Sequence, residues 1–185
     1  GRRRTLVLED LPHYDAQIRV VGDVLTVDEA RQAIVMMAKF HAALWASERF
    51  AKDLSWLGQG ADEAHGWVTA VLRSHLCKQG LKQNAPGLSS ELNVLLRRWF
   101  ANRGLVKTKL RSDYVTLVHG DCHAGHLYWR HGAPGFVDWR NAACAEGISD
   151  VASLLVTSLD TQERRQEERS LVDSYAEALR TQGVE

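Results

Sequence analysis

The stretch Val115–Trp139, VTLVHGDCHAGHLYWRHGAPGFVDW, constrains this chain more than any other. Val115–Val118 is a short apolar run of β-type residues. A turn dense in polar groups follows, His119-Gly120-Asp121-Cys122-His123-Ala124-Gly125-His126. A hairpin then closes the stretch. Leu127–Arg130 is expected to pair with Gly135–Trp139 across His131-Gly132-Ala133-Pro134, because β-branched and aromatic residues bounded by Gly and Pro mark strands and their turns. A fold-back of this kind turns Asp121 and Asp138 toward one cavity. His126 lies between them in sequence as a third candidate ligand.

The remainder reads mainly as helix. Thr5–Leu8 is an expected short strand, ended at Glu9-Asp10-Leu11-Pro12 because Pro lacks an N–H and biases its predecessor away from helix. His13–Leu25 is an expected polar connector that turns at Gly22-Asp23. Thr26–Arg49 is the clearest helix, with Thr26 and Glu29 spaced as a capping box. Its stripe of Ala30, Ala33, Ile34, Met37, His41, Leu44 and Trp45 belongs to a core. His41 is expected to be buried and hydrogen-bonded there. Phe50–Gly60 is an expected loop. Asp62–Gln79 is a second expected helix with Trp67, Val71 and Leu72 inward, broken over Gly80–Gly87. A third spans Ser90–Asn102 and is closed by Gly104. Ser149 opens a short helix, apolar on nearly all sides and so expected to be buried. Asp160 caps a final helix, with Glu163 at the capping-box position and Leu171, Val172, Tyr175 and Leu179 inward. The outer face from Glu163 to Arg169 alternates in charge and reads as solvated surface. The fold class is α+β and predominantly helical, with a few short strands around one polar loop.

Composition excludes several roles. Lys+Arg 23 against Asp+Glu 23 gives no net charge, so neither nucleic acid nor an anionic membrane is favoured as a partner. Cys77, Cys122 and Cys144 are odd in number and form no CxxC pair, which points to free thiols in a reducing compartment. No apolar run reaches membrane-spanning length and no signal peptide is visible. A cytoplasmic protein is expected. The first residue is Gly, with Leu6-Val7-Leu8 already strand-like, so a segment of a longer protein is expected, although tag removal also leaves a Gly.

Three chemistries compete for His119–Asp138. The plainest is a polar β-turn, but four ionisable groups within eight residues are dense for that. The second is a zinc site built from His119, Asp121, His123 and His126, in a hydrolase that would keep one position open for water. That reading leaves Asp138 without a role. The third is phosphoryl transfer. It needs a carboxylate to take the proton of the attacking hydroxyl and hard oxygen ligands to hold a divalent ion against nucleotide phosphates.

His119-Gly120-Asp121-x-His123-x-x-His126, followed by Phe136-Val137-Asp138-Trp139 and Ser149-Asp150-Val151-Ala152, resembles the aminoglycoside phosphotransferase and choline kinase-like superfamily of small-molecule kinases. Leu6–Leu11 resembles its hinge strand and Thr26–Trp45 the first long helix after the hinge. Leu155–Asp160 and the charged helix after it resemble bacterial members of the ecdysteroid-kinase-like branch. The resemblance covers nearly the whole chain. It implies a protein-kinase-like fold in which residues 1–11 form the hinge strand and 12–185 the large lobe, with a catalytic loop at 118–127 and a metal-ligand hairpin at 127–139. By the same resemblance, Asp121 is the catalytic base, His119 and His123 shape its loop, and Asp138 binds Mg²⁺ with His126 in the second ligand position. Asp150 braces the loop through its backbone, and Glu9, Asp10 and Leu11 offer hinge backbone to adenine. The implied cofactors are ATP and Mg²⁺, and the implied partner is a small molecule carrying a hydroxyl.

Two departures accompany the resemblance. The pattern has Asn where this chain has His126, and imidazole suits Mn²⁺ or Zn²⁺ better than Mg²⁺. A Gly-rich loop and a strand Lys, expected before Thr5 in that family, do not occur in these residues. The segment is therefore expected to show little kinase activity by itself, and a non-catalytic, pseudokinase-like binding module is the alternative. Neither the acceptor nor the oligomeric state is named by the sequence.

Overall fold

The computed structural model describes residues 7–59, 75–76, 78–80, 82–83, 87–110 and 114–184. Helix α1, Val27–Ala43, begins where the sequence demands. Thr26 Oγ1 accepts from Glu29 N (3.2 Å) and the Glu29 carboxylate accepts from Thr26 N (2.9 Å), so the capping box satisfies two otherwise orphaned donors. The helix ends six residues before the expected Arg49. Ala46 takes a left-handed φ of 47° and its N–H leaves the helical ladder for Val115 O at 2.8 Å. A tertiary hydrogen bond has replaced the next helical one, which sequence periodicity cannot register.

Helix α2, Ser90–Leu110, outruns the expected Ser90–Asn102. Gly104 lies inside it and does not adopt the left-handed conformation through which a glycine ends a helix. The expected helix over 62–79 lies outside the described residues except at 75, 76, 78 and 79, which are helical; residues 80, 82 and 83 are helical too. The described part of the expected Thr5–Leu8 strand, Val7 and Leu8, is irregular, and a single 3₁₀ turn covers Leu11–Tyr14.

Helix α3, Ile148–Ser158, has one buried face rather than being enclosed on all sides, since Val156 is 69% exposed. Helix α4, Thr161–Thr181, is capped by Asp160, whose Oδ1 accepts from Gln162 N and Glu163 N. The core lies between α1, α3 and α4. Ala30, Ala33, Ile34, Met37 and Ala38 meet Val151, Leu154, Leu155, Leu171, Tyr175 and Leu179 there, and Cys122, Ala124 and Leu127 complete it. Three residues of the polar stretch or its edge are thus core residues.

Two three-stranded sheets frame that stretch. Strands β1 (Gln17–Ile18), β4 (Leu127–Arg130) and β5 (Ala133–Phe136) form an antiparallel sheet in the order β1-β4-β5. In the other, β6 (Ala143–Ala145) lies between β2 (Gly58–Gln59) and β3 (Thr116–Val118), parallel to the first and antiparallel to the second. The hairpin differs from expectation by two residues. Its turn is His131-Gly132, with φ of 52° and 75°, and Ala133 and Pro134 belong to β5. Positive φ at both central residues matches the twist of the flanking strands. Pro134 faces Trp129 at the non-hydrogen-bonded position next to the turn pair, on an edge strand where a missing N–H costs nothing.

A buried polar chain joins these layers, as expected for His41. Thr116 Oγ1 donates to His41 O (2.6 Å), His41 Nδ1 meets the Tyr175 hydroxyl (2.9 Å), and His41 Nε2 meets Asp150 Oδ2 (3.3 Å). With its proton on Nε2, the ring donates to Asp150 and accepts from Tyr175. Burial, followed by the nearby Asp150 charge, pushes the Tyr175 phenol upward and keeps it protonated. Gly147 closes this layer, because a Cβ there would collide with the Tyr175 hydroxyl and come to 3.0 Å from His41 Nδ1. Gly147→Ala is expected to destabilise by about 1–3 kcal/mol through overpacking, and Leu154→Ala by about 2–5 kcal/mol through a core cavity. Both would be read as a lowered urea midpoint at unchanged m-value.

Candidate active site

The loop between β3 and β4, residues 119–126, is fixed by partners on three sides. From the first turn of α3, Asp150 accepts His119 N at Oδ2 (2.6 Å) and Gly120 N at Oδ1 (2.9 Å). At the other end of α3, Ser158 Oγ accepts Ala124 N (2.8 Å). Gly125 packs on the connector so closely that a Cβ would stand 2.7 Å from Val21 N. Gly120 has φ +80°, and a Cβ there would collide with the Asn141 carbonyl oxygen. Only glycine satisfies both the backbone angle and the space at that position.

This scaffold presents Asp121 with its side chain 36% exposed. Asn141 Nδ2 donates to Asp121 Oδ2 (3.1 Å) and so fixes the carboxylate's rotamer. Asn141 was missed by sequence reasoning. It lies in the 3₁₀ turn Trp139–Asn141, two residues past the Asp138-Trp139 motif, and its only sequence signal was that proximity.

His126 stands between the two aspartates. Its Nδ1 donates to the Asp121 carbonyl (2.9 Å) and lies 3.9 Å from Asp121 Oδ2, while Nε2 lies 3.5 Å from Asp138 Oδ2. Asp138 leaves β5 with φ 62° and ψ 60°, a left-handed conformation that Asp tolerates better than most residues. The kink turns its carboxylate back toward the loop, and Arg140 approaches the same oxygen at 3.3 Å. The expected convergence of Asp121, His126 and Asp138 is therefore present.

The other two histidines differ in kind. His119 is fully buried, Nε2 donates to Val137 O (2.8 Å), and Trp139 packs 4.8 Å from its ring. Its Nδ1 has no partner among the described residues. This ring ties the loop to the strand exit and faces no open space. His123 stacks on His126 with ring centroids 3.9 Å apart. Desolvation, followed by the neighbouring His126, holds its imidazole below the ordinary histidine range, against the pull of Asp121. Cys122 points into the core, where burial and the Asp150 charge push its thiol upward and keep it protonated.

Glu9, Asp10 and Leu11, the expected hinge residues, stand apart from this cluster. Glu9 accepts from Arg130 Nη1 (2.8 Å) at the turn end of β4. Arg130 is four strand residues from His126, or about 13 Å along the strand. The carbonyls of Asp10 and Leu11 already accept His13 N and Ala16 N.

The chain is similar to known proteins to different extents. Stress response kinase A of Salmonella choleraesuis is 41% identical over 68 residues, which are 36% of this chain and 20% of that protein. The serine/threonine protein kinase RdoA of Salmonella typhimurium matches equally, and stress response kinase A of Escherichia coli K12 is 38% identical over the same length. The chain spans about one fifth of the length of these curated relatives. Among solved structures, a macrolide 2'-phosphotransferase type I superposes with TM-score 0.48 at 16% identity, over 86% of this chain and 52% of that one. Glucosamine kinase with glucosamine, ADP and phosphate does so with TM-score 0.43 at 20% identity, over 85% and 44%. The mostly helical, kinase-like fold built around Asp121, Asp138 and Asp150 falls within a family match running over residues 5–183, and the chain belongs to the phosphotransferase enzyme family.

Proposed function

We propose that this chain carries the phosphoryl-transfer face of an ATP-dependent phosphotransferase whose acceptor is a hydroxyl of a small molecule. The observation that carries this reading is the placement of Asp121. It is an open carboxylate, oriented by Asn141, on a loop whose backbone is pinned by Asp150. As the acceptor oxygen bonds to the γ-phosphorus and ADP leaves, Asp121 would take the hydroxyl proton. Positioning and charge neutralisation supply most of the rate in such transfers. His119 and Asp150 would hold the loop, and His123 would line its open side. Glu9 and Leu11 would offer hinge backbone to adenine, with Asp10 between them.

The family as a whole uses ATP with a divalent ion, and the ion's part is to neutralise charge on the phosphates. Asp138 offers the hard oxygen such an ion takes. The second expected donor is the imidazole of His126, which fits Mg²⁺ poorly and Mn²⁺ better. The buried free thiol of Cys122 favours a reducing, cytoplasmic setting. Among the described residues no helix is long and apolar enough to cross a membrane.

The relative named a serine/threonine protein kinase makes a protein hydroxyl the competing acceptor. ATP consumption should therefore be measured over both a small-molecule hydroxyl library and Ser/Thr peptides. Asp121→Asn is expected to lower turnover by roughly 10²–10⁴-fold at unchanged melting temperature. Turnover equal to the unsubstituted protein removes Asp121 as the base. Asp150→Ala strands two loop amides and is expected to cost about 2–5 kcal/mol of stability as well as turnover.

A specific observation favours a second reading, a nucleotide-binding module without turnover: His126 occupies the space between the two carboxylates. Calorimetry with Mg·ATP on the protein and on His126→Asn decides the point. Tighter binding in the variant is expected if the imidazole obstructs magnesium. Equal binding would show that it does not.

A further inference from the structure

We propose that Asp121, His123 and His126 form a site for a transition-metal ion of the zinc(II) class, and that the ion when bound withdraws the Asp121 carboxylate from other use. One donor atom from each of the three residues lies within 4.8 Å of the other two. Ligands of a tetrahedral zinc at 2.0–2.1 Å stand about 3.4 Å apart, so side-chain rotations of about 1 Å close the set. The backbone beneath them is already fixed by Asp150, Ser158 and the Gly125–Val21 contact. The three ligands therefore span six residues of one rigid loop.

The orientation of His126 is the second observation. Its Nδ1 stands 2.9 Å from the Asp121 carbonyl, a group that can only accept, so Nδ1 carries the proton. A hydrogen bond of this kind orients metal-binding histidines and, in the neutral ring, leaves the lone pair on Nε2. That lone pair faces Asp138 Oδ2 at 3.5 Å. In the neutral ring two acceptors then oppose each other; Arg140, 3.3 Å from the same oxygen, offsets part of this from the Asp138 side, and a metal ion on Nε2 would relieve it from the histidine side. His119 is excluded from the set because it is buried and its Nε2 donates to Val137 O. Two imidazoles and one carboxylate suit zinc, cobalt or manganese, whereas magnesium calls for oxygen donors. Asp138, 3.5 Å from His126 Nε2, is a further donor, and solvent would complete the shell.

Metal binding does not depend on the phosphotransferase reading. The withdrawal of Asp121 does, because it matters only where Asp121 is the base. The test is a titration of the metal-stripped protein with cobalt(II), followed by its visible ligand-field absorption, then displacement by zinc. One equivalent of cobalt with the intense bands of a tetrahedral N/O set is expected. His123→Ala and Asp121→Asn should each weaken binding at least about tenfold. His131→Ala, in the exposed hairpin turn, should leave it unchanged. Absence of the bands, or the same affinity in His123→Ala as in the unsubstituted protein, overturns the site. Zinc at one equivalent should lower ATP turnover in the unsubstituted protein and spare His123→Ala. Equal inhibition of both overturns the withdrawal of Asp121 while leaving the cobalt result to stand on its own.

Discussion

Everything at the working face depends on one carboxylate that does not reach solvent. Asp150 is buried, yet each of its oxygens accepts a backbone amide of the loop, and one of them also meets His41. A buried charge is tolerable only when satisfied in this way. The satisfaction comes from three directions: the loop amides, α1 through His41, and α4 through Tyr175 behind His41. The same bonds that relieve Asp150 fix the path of the chain from His119 to Gly120, and so the place where Asp121 emerges.

Much of this was legible because local chemistry and tertiary structure agree. The capping box at Thr26 and Glu29, the stripe from Ala30 to His41, the buried His41 and the Asp160 cap each rest on residues a few positions apart, and the structure bears them out, whereas Leu44 and Trp45 of the expected stripe fall beyond the helix end and are only partly buried. The facing of Asp121 and Asp138 was legible too, since a hairpin of any register returns the chain. The register itself was not. Ala133-Pro134 reads as turn because Pro usually stands in one, and only the edge position of β5 makes it acceptable as strand.

Most of the other departures share a cause. Helix α1 stops early because Ala46 finds Val115, and α2 continues through Gly104 because that glycine keeps helical geometry. Strand β6 has no length of its own and exists through pairing with β2 and β3. Asn141 gains its role only because the left-handed kink at Asp138 swings the following turn over Gly120. For α1, β6 and Asn141 a partner distant in sequence decided between two locally acceptable states.

The alternation along the loop has a further consequence. Asp121 and His123 face outward while Cys122 and Ala124 are packed with Leu127, Ile34 and Leu154 in the main core. The loop has no hinge glycine free to swing, because Gly120 and Gly125 are both held by backbone contacts. The site therefore cannot loosen as a lid does. Its amides are protected by the same cooperative unit that holds α1, α3 and α4 together, and opening the loop amounts to unfolding that core.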